Sequence, residues 1–160
     1  AENRRGFERV YKREWARGQR QHHVFSMILM DIDHFKKVND IHGHGTGDRA
    51  LKALCKTLKN VIRPTDHLGR LGGEEFAVLL PGCQPDQLVT VSGRIQEAIR
   101  EMVVLNDKQK QVPITASGSF ISVTPRPHQN LQIEQVLDHL DKYLYQAKGN
   151  GRDQFINAST

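Results

Sequence analysis

The sequence predicts one α+β domain built on a βαββαβ core, and three observations carry that prediction. Residues 24–30 form a near-continuous apolar run broken only by Ser26, the pattern of a strand buried on both faces. Arg70-Leu-Gly-Gly-Glu-Glu-Phe-Ala-Val-Leu-Leu80 reads as strand, tight turn, strand, with Gly72 and Gly73 expected to supply the positive φ angles of a two-residue hairpin turn. Around these lie stretches with apolar residues at helical spacing, giving the order helix, β, α, α, β, β, α, β, α, β. The embedded βαββαβ is the ferredoxin-like pattern. It builds a central antiparallel sheet flanked by helices, with the sheet expected on one side and the helices on the other.

Each element has a local cause. Residues 7–17 place Phe7, Val10, Tyr11 and Trp15 on one helical face with Arg and Lys between them, an amphipathic N-terminal helix whose basic face reads as solvated. The strand at 24–30 leads into Asp31-Ile32-Asp33, and alternation puts both carboxylates on one side of the strand end. Residues 34–41 read as a short helix bearing Phe35, Lys36, Asn39 and Asp40. His42-Gly-His-Gly-Thr-Gly-Asp48 reads as a glycine-rich loop that fits no phosphate-loop or dinucleotide fingerprint. Asp48 is expected to open the next helix, with Leu51, Leu54, Cys55, Leu58, Val61 and Ile62 inward, and Pro64 ends it. After the hairpin, Pro85 suits the first turn of a helix facing inward through Leu88, Val91, Ile95, Ile99 and Met102. Residues 112–123 alternate as a long strand with Gly118 as a bulge candidate. Residues 131–148 form a helix with Gly149 as its C-cap, and a basic turn, Lys148-Gly-Asn-Gly-Arg152, leads to a short C-terminal strand at 154–157.

With 160 residues, 38% hydrophobic and 26% charged, the chain has the size and composition of one soluble domain with its own core. Its longest apolar run is far short of the roughly 20 residues of a membrane span, and no signal peptide is visible. The chain opens at Ala1 and runs directly into Glu2-Asn3-Arg4-Arg5, so residues 1–160 are expected to be a single domain cut from a longer protein. Cys55 and Cys83 have no metal-ligand spacing, and a reduced, cytoplasmic setting is expected. A formal charge of +5 would suit nucleic acid, but the basic residues read as dispersed and no recognition helix or aromatic platform accompanies them. A polyanionic small molecule accounts for the excess equally well, and neither a nucleic-acid partner nor membrane contact is expected.

Glu74 and Glu75 sit together on a turn, where like charges repel. A cation shared with Asp31 or Asp33 would explain them, and Mg2+ takes one or two carboxylates together with substrate phosphates. The βαββαβ order places the end of the first strand beside the hairpin, so Asp31 and Glu74 are expected to be close. His42 and His44 have no ligand pair at a helical metal spacing, which makes zinc a poor candidate.

Gly72-Gly73-Glu74-Glu75-Phe76 resembles the signature of the GGDEF domain, the diguanylate cyclase family, with Glu at its variable acidic position. Asp31-Ile-Asp-His-Phe-Lys-Lys-Val-Asn-Asp40, followed by Gly43-His44 and Gly47-Asp48, looks like that family's upstream block in order and spacing. Lys148 and Arg152 resemble its C-terminal basic turn, and Asn3-Arg4-Arg5 resembles the tail of its N-terminal motif. Two stretches depart from the pattern. Ala116-Ser-Gly-Ser-Phe120 replaces a Ser-Ile-Gly-Val-like run, and Asp153 stands where Asn is common.

The resemblance implies condensation of two GTP into cyclic di-GMP with release of two pyrophosphates, in a homodimer that brings two GTP molecules face to face. It implies two Mg2+ or Mn2+ ions per GTP, held by Asp31, the Ile32 carbonyl and Glu74. Glu74 would also take the ribose 3′-OH proton, and Glu75 would support the site. Asn39 and Asp48 would read guanine, since an acceptor-only carboxylate matches the two adjacent donors on its Watson–Crick edge. His44 would line the pocket, and Lys36, Lys148 and Arg152 would face the triphosphate. Arg63-Pro-Thr-Asp66 lies at the family's offset before the glycines and resembles its product-inhibition motif, with Arg94 as a second arginine. The alternative is a catalytically silent domain that binds cyclic di-GMP as a receptor through Arg63 and Asp66.

Overall fold

The computed structural model describes residues 1–159. Its elements are α1 (Arg4–Gln21), β1 (Phe25–Ile32), α2 (Phe35–His42), α3 (His44–Val61), β2 (His67–Gly72), β3 (Glu75–Pro81), α4 (Pro85–Arg100), β4 (Ala116–Val123), α5 (Ile133–Gly149) and β5 (Phe155–Asn157). One five-stranded sheet runs in the order β2-β3-β1-β4-β5, antiparallel except for β5, which lies parallel to β4. This is the predicted α+β, ferredoxin-like core with β1 at its centre. All eight residues of β1 are buried, because both of its faces are covered. Ile28, Met30 and Ile32 pack with α3 and α4, while Phe25, Met27 and Leu29 pack with α1 and α5. Helices therefore lie on both faces of the sheet rather than one. The core motif supplies α2, α3 and α4, and the flanking α1 and α5 close the other side.

α1 starts at Asn3, whose Oδ1 accepts from the Gly6 amide at 2.8 Å, a side-chain N-cap. Just before it, Glu2 extends the sheet edge: its amide donates to Leu68 O and its carbonyl accepts from Arg70 N, both at 2.8 Å. Phe7 then packs on Gly69, where a Cβ would come within 2.6 Å of the ring.

Four local expectations are corrected. Residues 42–48 are not a loop: Gly43, at φ 89°, turns the chain, and α3 begins at His44, four residues ahead of Asp48. Gly72 and Gly73 do not have positive φ, which among the glycines occurs at Gly43, Gly82 and Gly151. The turn residues are Gly73 and Glu74, Gly72 pairs with Glu75, and the ladder shifts at Leu71 between Arg70 and Gly72. Arg70 holds the turn by donating through Nε and Nη2 to Gly73 O at 2.9 and 2.6 Å. Gly118 is not a bulge, since β1 and β4 pair without a break from Phe25↔Val123 to Ile32↔Ala116. It is glycine because a Cβ would sit 2.4 Å from the Phe155 ring and 2.8 Å from Leu29 O. Finally, Gly149 is the last residue of α5; Asn150 caps the helix, and Gly151 takes the positive φ.

Candidate active site

β1 delivers Asp31 directly opposite Glu75 in the β1–β3 ladder. Opposite residues of an antiparallel pair project to the same face, so the two carboxylates are forced together. Asp31 is 7% exposed. Its Oδ2 accepts a 2.6 Å bond from Lys148 Nζ, in the last turn of α5. Its Oδ1 is buried with no hydrogen-bond partner among the described residues. Burial pushes the Asp31 carboxyl above the usual carboxylate range; Lys148 opposes this, and the charges of Glu74 and Asp33 add to it. Glu75 is also pushed up, first by burial and then by Asp141 and Asp31, with Arg4 and Lys148 opposing. The result is an acidic corner short of cations.

These residues fit a divalent cation. They offer an orphaned buried carboxylate oxygen, two neighbouring glutamates and, at Ile32, the last carbonyl of β1. Among the described residues no three His, Cys, Asp or Glu side chains are gathered closely enough to hold a metal alone. An ion here would rely on backbone and substrate oxygens as well, which is the habit of Mg2+.

Asp33 has a different role from Asp31. Its Oδ1 accepts from Ser117 Oγ at 2.6 Å, and its Oδ2 from Thr115 Oγ1 at 2.7 Å and the Asp153 amide at 3.0 Å. It is a saturated anchor that ties the end of β1 to the basic turn. Alternation alone grouped it with Asp31; the hydroxyls at positions 115 and 117 were the available signal, but only once β4 is known to pair with β1. In the turn itself, Arg152 has φ 64° and its Nη1 lies 3.4 Å from Lys148 O. Asp153 is ion-paired to Arg100 of α4, whose Nε is 3.1 Å from both carboxylate oxygens. The departure from the family pattern thus creates a contact with α4.

Asn39 of α2 meets the first turn of α3 at Gly47, where a Cβ would fall on the Asn39 amide oxygen. Asp48 follows, exposed, on a cleft of about 470 Å3 that it shares with Asn3, Leu51, Lys52, Arg70 and Phe76. The tight Asn39–Gly47 approach was missed in the sequence, where Gly47 looked like one of several loop glycines. His44 is exposed at the first position of α3. Lys36 stands apart: its side chain is 89% exposed and pairs with Asp40 at 2.9 Å, and among the described residues no other ion pair or hydrogen bond joins it to the site.

A second cleft, of about 320 Å3, is lined by Arg63, Asp66 and Arg94 where the end of α3 meets α4. Asp66 is buried and accepts from the Arg63 amide at 2.8 Å and from Arg63 Nη2 at 3.1 Å. Arg63 also donates to Pro81 O at 3.1 Å. Arg94 is exposed and has no ion pair among the described residues.

The family model described as diguanylate cyclase, GGDEF domain, matches residues 2–154. The chain belongs to the GGDEF domain family. This GGDEF domain is 33% identical over 152 residues to the probable diguanylate cyclase DgcC of Escherichia coli K12, covering 95% of this chain and 40% of that protein. It spans about two fifths of the length of the curated relatives it matches first. It superposes with a TM-score of 0.89, at 27% identity, on the GGDEF domain of DgcB from Caulobacter crescentus in complex with c-di-GMP, covering 99% of this chain and 91% of that one. With the active GGEEF domain of a diguanylate cyclase from Vibrio cholerae, the TM-score is 0.86 at 29% identity, covering 99% and 98%. That domain is named for the same glutamate variant of the signature as Gly72-Gly73-Glu74-Glu75-Phe76.

Proposed function

We propose that this GGDEF domain is an active diguanylate cyclase that condenses two GTP into cyclic di-GMP and releases two pyrophosphates. The observation that carries the reading is Asp31, a buried carboxylate bonded to Lys148 through one oxygen, left without a partner at the other, and set beside two glutamates. Asp31, the Ile32 carbonyl and Glu74 would hold Mg2+ or Mn2+, two ions per GTP, with Glu75 supporting them. When bound, the ions supply charge neutralisation at the phosphates and acidify the attacking 3′-OH. Glu74, on the turn, takes the 3′-OH proton. Lys148 transfers its ammonium from Asp31 to the triphosphate, and Arg152 adds a second positive charge beside it. Asn39 and Asp48 read the guanine edge, and His44 closes the pocket. Lys36, committed to Asp40, has a peripheral role. Cβ atoms at Gly72 and Gly73 would meet nothing within 4 Å, which leaves the hairpin backbone open to a nucleotide.

One domain holds one GTP and the product is two-fold symmetric, so two copies must face each other. The reaction belongs to the cytoplasm, where GTP is available. Arg63, Asp66 and Arg94 accept the product as an inhibitor: arginine forks suit guanine O6/N7 or phosphate. The test is incubation of a zipper-paired form of the domain with GTP and Mg2+, with nucleotides separated by chromatography. Cyclic di-GMP is the expected product. Its absence, together with tight binding of added cyclic di-GMP, would favour the receptor reading instead.

A further inference from the structure

The basic residues are not dispersed. α1 carries seven of the chain's 23 Lys and Arg residues but only two of its 18 Asp and Glu, so it holds the whole +5 excess and leaves 16 of each sign elsewhere. All seven cations are exposed. Two have partners: Arg4 pairs with Glu8 at 3.1 Å and Arg17 with Glu14 at 3.8 Å. The other five, Arg5, Arg9, Lys12, Arg13 and Arg20, have no ion pair among the described residues. At about 100° of rotation per residue, these five fall within one arc of about 100°, with the paired Arg17 about 40° beyond one edge of it and the paired Arg4 about 80° beyond the other. Ala16 is the other residue in the arc. The buried Phe7, Tyr11 and Gly18 lie on the opposite side of the helix, so the arc points straight out from the domain. Eighteen residues make a ridge about 27 Å long.

We propose that this ridge docks the domain on a lipid surface carrying anionic phospholipid headgroups. The five charges lie along one straight, convex ridge, which suits an extended plane rather than a ligand held in a cleft. The arc contains no Asn, Gln, Ser or Thr to read a base edge and no aromatic ring to stack on one. The apolar face of α1 is spent in the core, so the attachment is electrostatic and nothing inserts. A cluster of four to eight Lys and Arg on an amphipathic helix is what the field of an anionic bilayer attracts. Among the described residues no helix is long and apolar enough to cross a membrane, and peripheral docking requires none. The surface is independent of the cyclase reading, although confinement to a plane would raise the encounter rate of two copies.

The test is co-sedimentation with phosphatidylcholine vesicles containing about one third phosphatidylserine, at about 0.1 M salt. Binding is expected, with loss in pure phosphatidylcholine and steep weakening as salt rises. Arg9→Gln with Arg13→Gln weakens binding about 30-fold, at about five-fold per cation, with unchanged thermal unfolding. Lys56→Gln with Lys59→Gln removes the same charge from α3, on the opposite face of the sheet, and leaves binding within about two-fold. The proposal is overturned if acidic vesicles fail to sediment the protein. It is equally overturned if the two double variants weaken binding alike, or if a duplex oligonucleotide binds through the ridge while the vesicles do not.

Discussion

Lys148→Met removes the ammonium that donates to Asp31 Oδ2 at 2.6 Å and keeps an unbranched apolar stem in its place. A charge-assisted hydrogen bond contributes about 1.5–3 kcal/mol, and the carboxylate left behind is 7% exposed. The Lys148 side chain is itself 33% exposed, so water screens part of the pair and the low end, about 1.5 kcal/mol, is expected. For a domain of this size that lowers Tm by about 3–6 °C. Asp31→Asn in both backgrounds completes a double-mutant cycle that isolates the pair. The assay is thermal unfolding followed by circular dichroism, without and with millimolar Mg2+. The variant should recover more stability from Mg2+ than the parent, because the ion no longer has an ammonium to displace. An unchanged Tm without Mg2+, or an equal Mg2+ response in both proteins, would refute the placement of Lys148 as the cation that stands in at Asp31.

Glu75 and Asp31 both titrate above their ordinary range in the folded chain, so their linked stability is fully present below the unfolded carboxyl pKa and is lost as pH rises through the raised folded values. Glu75→Gln should therefore raise Tm at neutral pH by about 4 °C or less, with the gap closing in acid; a lowered neutral Tm would contradict this. Gly47→Ala places a methyl on the end of the Asn39 side chain, which can swing away. It should cost about 1 kcal/mol or less of stability yet weaken GTP binding at least about ten-fold by calorimetry. Gly118→Ala meets backbone at Leu29 O as well as the Phe155 ring and should cost about 2–3 kcal/mol in denaturant unfolding. Arg94→Ala should relieve product inhibition without a change in Tm. Arg63→Ala would not separate the two effects, because Arg63 also satisfies the buried Asp66.

The fold was legible wherever burial controls the pattern. The run before Asp31 could only be a strand covered on both sides, and the stripes of α3, α4 and α5 repeat at the helical period because each turns one face to the sheet. The meeting of acidic side chains was legible too, since the strand order alone sets the end of β1 beside the hairpin. Long-range contacts account for what was not. Gly118 and Gly69 are glycines because of Phe155 and Phe7, residues far away in sequence, whose positions local pattern cannot supply. The start of α3 was hidden because three glycines in five residues resemble a loop, and the reason for Gly47 is a side chain on another helix. Asp33 looked equivalent to Asp31 until β4 brought Thr115 and Ser117 to it. The basic face of α1 was legible from its spacing but read as merely solvated; the concentration of the whole charge excess on that one outward face is what the reading passed over.

The most direct test compares the zipper-paired domain with the same protein carrying Glu74→Gln, both given GTP and Mg2+, with cyclic di-GMP and pyrophosphate measured together. The account predicts two pyrophosphates for each cyclic di-GMP from the parent, and neither product from a Glu74→Gln protein that melts at the parent's temperature. Sustained turnover by the Glu74→Gln protein, or a parent that binds GTP and Mg2+ but never forms the cyclic product, would contradict it.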